Sequence, residues 1–234
     1  MSDKVRSGQG RAVFDDRWPD GLSSYLDFLR PRVAQMHRLL SPHGSLYIHL
    51  DWRTVHYVKV LLDELFGSGN FLNEIVWAYR TGGRSNRWFA RKHDTILLYA
   101  KRAGEHTFHV QREGKFRTDG LNYDKDGRPY KNTLEGRLYF HKDGPAVCDV
   151  WDIPFLSTVS NERTGYPSQK PEALLERIIL ASSNPGDVVA DFFCGSGTTL
   201  VVAQRLGRRF LGCDINEQAV AIARDRLACA SQSV

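Results

Sequence analysis

The sequence is poor in the residues that build covalent or metal-held scaffolds. Its four cysteines, Cys148, Cys194, Cys213 and Cys229, form no CxxC pair. Neither a disulfide framework nor a cysteine zinc site is expected, and reduced thiols of a cytoplasmic protein are. His106-x-x-His109 has no cysteine nearby and reads as two solvent-facing histidines, so no metal is expected. No apolar run approaches the roughly 20 residues of a membrane span, and the polar residues 1–20 do not resemble a signal peptide. Internal repeats and low-complexity tracts are lacking too. Proline is scarce, and among the nine no two are adjacent.

What is present suits a globular domain. The chain has 234 residues, 41% hydrophobic, with 12 Phe, 9 Tyr and 5 Trp. That is enough for one large α/β domain carrying an insertion. Net charge is +5, unevenly spread: residues 80–142 hold 15 Lys and Arg against 7 Asp and Glu. A basic segment on a slightly acidic body is the footprint of a polyanion partner.

The organising stretch runs from Asp187 to Asp214. Val188, Val189 and Ala190 predict a strand buried on both faces, closed by Asp191. Cys194-Gly195-Ser196-Gly197 predicts a tight loop where backbone approaches a ligand without Cβ obstruction. Thr198 to Leu206 predicts a helix stopped by Gly207, and Phe210 to Gly212 a second strand ending at Asp214. An acid at that strand tip suits a ribose diol. A nicotinamide dinucleotide site needs a third glycine where Leu200 stands, and a P-loop needs lysine where Thr198 stands. What remains is a nucleoside without a pyrophosphate, and S-adenosylmethionine fits that description.

The run Asp191-Phe192-Phe193-Cys194-Gly195-Ser196-Gly197-Thr198-Thr199 resembles the cofactor motif of DNA amino-methyltransferases. Tyr166-Pro167-Ser168-Gln169-Lys170-Pro171 resembles the partner motif that precedes it in the permuted (beta) group of that family. Gly44 to Trp52 and Lys92 to Tyr99 resemble the same group, so the resemblance covers nearly the whole chain. One mild departure is Phe192, where the family usually has proline. The resemblance implies a Rossmann-like α/β methyltransferase sheet, circularly permuted, with an irregular β-rich target-recognition insertion. It implies S-adenosylmethionine held by Lys170, Asp191, Phe193, Cys194, Gly195, Gly197, Thr198 and Asp214. It also implies double-stranded DNA as partner, with no membrane role; a restriction subunit and a complementing chain are the two further candidate partners.

In chain order, Leu22 to Leu39 has apolar residues at helical spacing, with Pro31 expected to kink the helix or start a second turn system. Ser45 to Leu50 predicts a buried strand, Val55 to Phe66 a helix, and Phe71 to Tyr79 and Thr95 to Ala100 two more strands. Between the last two lies a glycine-bearing basic loop. Arg80, Arg84, Arg87, Arg91 and Lys92 suit phosphates there, while Trp88 and Phe89 could stack on a base. Residues 103–160 lose helical periodicity and interleave cations such as Lys115 and Arg117 with Phe116, Tyr123 and Tyr130. The expected organisation is a catalytic half at 1–102, a target-recognition insertion at 103–160 and a cofactor half at 161–234. Pro171 should open a helix there, and Asn216 should cap the last one.

The family flips its target base from the duplex and receives the amine on Asp-Pro-Pro followed by an aromatic residue. No such tetrapeptide occurs here. The motif would belong just before the segment resembling residues 8–18, on a strand beside the organising strand. The expectation is therefore an N-terminally incomplete form, completed by upstream residues or by a complementing chain, with no catalytic residue named. Asp15 and Asp51 are expected to be solvated or capping groups. The leading reading is a site-specific DNA amino-methyltransferase, adenine before cytosine. The competing readings are a remnant that binds S-adenosylmethionine or DNA without turnover, and a small-molecule methyltransferase. The organising strand should pair directly with Ser45–Leu50 or present an open edge, making the isolated chain poorly soluble and inactive.

Overall fold

The computed structural model describes residues 18–79, 84–116, 120–157 and 159–231. Along the chain the elements are α1 (Leu22–Leu39), β1 (Ser45–Leu50), α2 (Val55–Phe66), β2 (Phe71–Ala78) and β3 (His93–Ala100). Then come β4 (Asn122–Tyr123), β5 (Pro129–Thr133), β6 (Gly136–Tyr139) and β7 (Val150–Asp152). The C-terminal part supplies α3 (Glu172–Ser182), β8 (Val188–Asp191), α4 (Thr198–Arg205), β9 (Arg209–Gly212) and α5 (Glu217–Ser231). Residues 109–148 form one compact unit and the remainder another. The smaller unit is centred on the β4-β5-β6 antiparallel sheet.

In the larger unit, β1, β3, β2 and β7 form a sheet in that order. β3 runs antiparallel to both neighbours and β7 parallel to β2, so β1, β2 and β7 share one direction. Their C-terminal ends and the N-terminal end of β3 therefore come to one edge, where α/β sheets bind ligands. One layer of core joins Leu29 and Val33 of α1 to Val58, Leu61 and Leu62 of α2 and to Leu97 and Tyr99 of β3. That burial explains α1. It continues through Pro31 as one helix, with no second turn system there, because the packed Leu29 and Val33 flank the lost hydrogen bond.

β8 and β9 pair in parallel from Val188↔Arg209 to Asp191↔Gly212. Among the described residues no strand pairs with the other edge of β8, and none pairs with the free edge of β1. The expectation that β8 is buried on both faces is corrected. Val189 packs on Ile179, Val202 and Ala203 of α3 and α4, while Val188 on the opposite face is 54% exposed. A side-chain bond, Tyr47 Oη to Ser182 Oγ at 2.7 Å, ties β1 to α3. Pro171 is the residue before α3 rather than its first member. Asn216 caps α5 as expected, its Oδ1 accepting from the N–H groups of Gln218 and Ala219.

Candidate cofactor site and nucleic-acid interface

The glycine loop is set by its own backbone and by two acids. Cys213 N–H donates to Asp191 O and Cys194 N–H to Cys213 O, each at 3.1 Å, so the β8–β9 ladder continues into the loop. Asp191 uses both oxygens locally: Oδ1 accepts from Phe193 N–H at 3.0 Å and Oδ2 from Thr199 Oγ1 at 2.6 Å. Asp214 reaches across from the end of β9, and its Oδ2 accepts from Gly195 N–H at 2.8 Å. Its Oδ1 accepts from Asn216 N–H, so the carboxylate is fixed but half-exposed, with lone pairs to spare. Ile215 beside it is 99% exposed.

The glycines are required by close approach. Gly197 has φ +77°, and a Cβ there would lie 2.6 Å from Ala223 Cβ of α5. Gly195 has φ +49°, and its Cβ would lie 3.2 Å from Tyr166 Cε1. The third glycine that position 200 lacks has a counterpart opposite. A Cβ on Gly212 of β9 would lie 2.4 Å from Leu200 Cδ1, so helix–strand closeness is achieved with the bulk on the helix. Cys194 is buried, and burial pushes its thiol up to about 11, with Asp191 and Asp214 adding to it. The thiol is neutral and packs rather than reacts.

The Tyr166–Lys170 segment meets this loop through the Tyr166 ring. Gln169 organises its neighbourhood, accepting from Thr164 N–H at 2.9 Å and donating to Glu162 O at 2.6 Å. Ser168 takes φ +60°, strained backbone of the kind kept at functional sites. Beyond it a cleft of about 330 Å³ is lined by Trp77, Tyr79, Asp94, Phe155, Tyr166 and Lys170. Asp94 accepts from His49 Nε2 and from Tyr79 Oη, each at 3.0 Å. Burial raises the Asp94 carboxyl, but these bonds and the Lys170 charge outweigh it and hold the group below its ordinary value. Burial lowers the Lys170 ammonium, with Asp94 opposing. Burial also pushes the Tyr79 phenol up to about 12, helped by Asp94.

Several of these partners carry no sequence signal. Arg226 of α5 donates from Nη1 to Ser196 O and to Thr198 Oγ1, both at 3.0 Å, and from Nη2 to Glu172 Oε1 at 3.0 Å. Thr198 is buried, its hydroxyl turned to this guanidinium. Glu172 also pairs with Arg205 of α4. Nothing in the sequence pairs residues 172 and 226; the one signal is a basic residue among the apolar positions of α5. His49 and Asp94 were likewise not singled out.

Of the expected DNA contacts, Arg84, Arg87, Trp88 and Arg91 are exposed on the β2–β3 loop, and Lys92 is half-buried at its base. Lys115 is exposed in the smaller unit. Arg80 and Arg117, like Asp15, lie outside the described residues. Asp51 is a turn group at the start of α2, accepting from Arg53 N–H at 2.9 Å and from Thr54 Oγ1.

The chain is similar to known proteins over most of its length. Residues 12–225 match the family model of the N6/N4 DNA methylases. The chain is 34% identical over 205 residues to the type II methyltransferase M.HpaI of Haemophilus parainfluenzae, covering 88% of this chain and 60% of that protein. It is 34% identical over 220 residues to the DNA adenine methyltransferase YhdJ of Escherichia coli, covering 92% and 70%. Among solved structures, the M1.HpyAVI–SAM complex matches with TM-score 0.61 at 24% identity over 90% of this chain and 85% of that one. The cytosine-N4-specific PvuII DNA methyltransferase matches with TM-score 0.61 at 17% identity over 92% and 76%. With an α/β fold shared with solved DNA methyltransferases, an acid-latched glycine loop and a family match over most of its length, the chain belongs to the N6/N4 DNA methylase family.

Proposed function

We propose that this chain binds S-adenosylmethionine at the glycine loop and acts in methyl transfer to the exocyclic amine of adenine in double-stranded DNA. The observation that carries the reading is the Asp214 carboxylate held against Gly195 N–H, which leaves acceptor lone pairs at the mouth of a loop too tight for a Cβ. A ribose diol would donate to Asp214, and exposed Ile215 would cover the purine face. Phe193, 51% exposed at the loop, would border the donor. Lys170 and Asp94 supply one cation and one carboxylate to the cleft, the pair an amino-acid zwitterion requires.

The cofactor supplies an electrophilic methyl on sulfonium sulfur. When bound, it would pass that methyl to the amine nitrogen as the S–CH3 bond breaks, leaving the thioether, and the amine proton would go to solvent. Such a transfer needs alignment and hydrogen-bond acceptors for the amine more than covalent catalysis. Adenine is favoured over cytosine because the relative named an adenine methyltransferase is 34% identical over nearly the whole chain.

Two measurements test this. In calorimetry, Asp214→Ala should weaken S-adenosylmethionine binding by about 1.5–3 kcal/mol, the worth of a hydrogen bond to a charged group. Unchanged affinity would remove Asp214 from the site. With tritiated S-adenosylmethionine and duplex DNA, label should appear in N6-methyladenine after nucleoside digestion. Label in N4-methylcytosine would overturn the choice of base, and cofactor binding with no label would favour the non-catalytic reading.

A further inference from the structure

We propose that Phe89 is a wedge that enters the base stack of duplex DNA when the target base leaves it. The inference rests on the reading of the chain as a DNA methyltransferase and assigns the side chain that makes base extrusion possible.

Phe89 is 99% exposed, although the residues around it are held in place. Ser85 Oγ accepts from Arg87 N–H at 3.3 Å and Trp88 N–H at 3.2 Å, which forms a turn just before it. Two residues later the Arg91 guanidinium lies 3.8 Å from the Trp52 ring and 5.6 Å from the Trp88 ring. Trp52 lies two residues beyond the C-terminal end of β1, so this stack fastens the loop to that edge of the sheet. Tyr79 N–H donates to Lys92 O at 2.9 Å and closes the loop at its base. Phe89 is thus presented outward between a turn and a clamp.

The surroundings select the occupant. Arg84 and Arg87 are exposed on the same loop and suit the phosphates of a duplex. The loop grows from β2 and β3, and the residues at their ends, Tyr79 and Asp94, line the cleft. A base reaching any such cleft leaves a gap in the stack, and proteins that open a base step fill it with an apolar side chain. Trp88 is a poorer candidate, since Arg91 stacks near its ring.

The test uses the full chain and two duplexes of about 30 base pairs and identical sequence, one intact and one with a single central abasic site. The abasic duplex is already open, so a wedge should bind it more tightly, by about tenfold, since unstacking no longer opposes entry. Anisotropy titrations at low salt should show this preference in the wild type and in Phe89→Trp, which keeps a flat ring. Phe89→Ala should bind both duplexes alike while melting at the wild-type temperature. A preference that survives in Phe89→Ala, or no preference in the wild type, would overturn the assignment. Failure of every form to bind DNA would instead overturn the DNA-methyltransferase reading, so the two failures are distinguishable.

Discussion

Replacing Gly197 by alanine probes the contact that shapes the glycine loop. Two costs are separable. The residue sits at φ +77°, where a Cβ costs about 1–2 kcal/mol. The new methyl would also stand 2.6 Å from Ala223 Cβ and 3.1 Å from Ala223 Cα. Carbon atoms prefer about 3.5–4.0 Å, so α5 must retreat by roughly 1 Å. The obstruction is backbone-borne and cannot swing away, and overpacking of this kind costs about 1–3 kcal/mol. The expected total is about 2–5 kcal/mol, read as a fall in urea midpoint at unchanged m-value. Adding Ala223→Gly removes the 2.6 Å overlap with Cβ and leaves the 3.1 Å approach to Cα and the strained φ. A double-mutant cycle should therefore show a favourable coupling of about 1–3 kcal/mol between the two changes. Loss of less than about 0.5 kcal/mol in Gly197→Ala, the range of neutral surface changes, would refute the reasoning. So would zero coupling.

Arg226→Met should destabilise by about 2–3 kcal/mol, because Glu172 is left mostly buried with only Arg205 as partner; thermal denaturation measures it. Stability should fall on acidification below neutrality. Burial holds His49 below its ordinary value with Asp94 opposing, so the unfolded chain takes the proton first as pH drops through about 6.5. Asp94 is held low as well, so its contribution is present above about 4 and fades below. His49→Gln should flatten the decline between pH 7 and 5 in urea titrations. DNA affinity should drop steeply with salt, with log K falling by about 0.9 per phosphate contacted. Replacing residues 109–148 with a glycine-serine linker should abolish sequence preference before affinity in competition assays.

The sequence was informative wherever backbone chemistry acts locally. Gly195 and Gly197 announced a loop without Cβ room, Gly207 a helix end, and Asn216 a cap, since each depends on its own dihedral or on a partner within a few residues. Asp214 was legible for the same reason, lying at a fixed distance down a strand-helix-strand unit. Its bond to Gly195 was not, because it spans 19 positions. The Asp94–His49–Tyr79 group is assembled from β3, β1 and the residue after β2, and Glu172–Arg226 joins residues 54 apart; no periodicity encodes such pairs. The exposure of Val188 was misread for a related reason. An apolar run predicts burial, but whether both faces are covered depends on elements elsewhere. The helix continues through Pro31 because packing of its neighbours offsets one missing hydrogen bond.

Glu172 has a consequence for motion. One carboxylate receives Arg226 from α5 and Arg205 from α4 while standing in the first turn of α3. Three helices share a single anchor, and α4 also packs on β8 and β9 through Val202, Ala203 and Leu200. Local opening of any one helix would strand the charges of the others. The helices around the glycine loop should therefore open together, as one cooperative block of slowly exchanging amides.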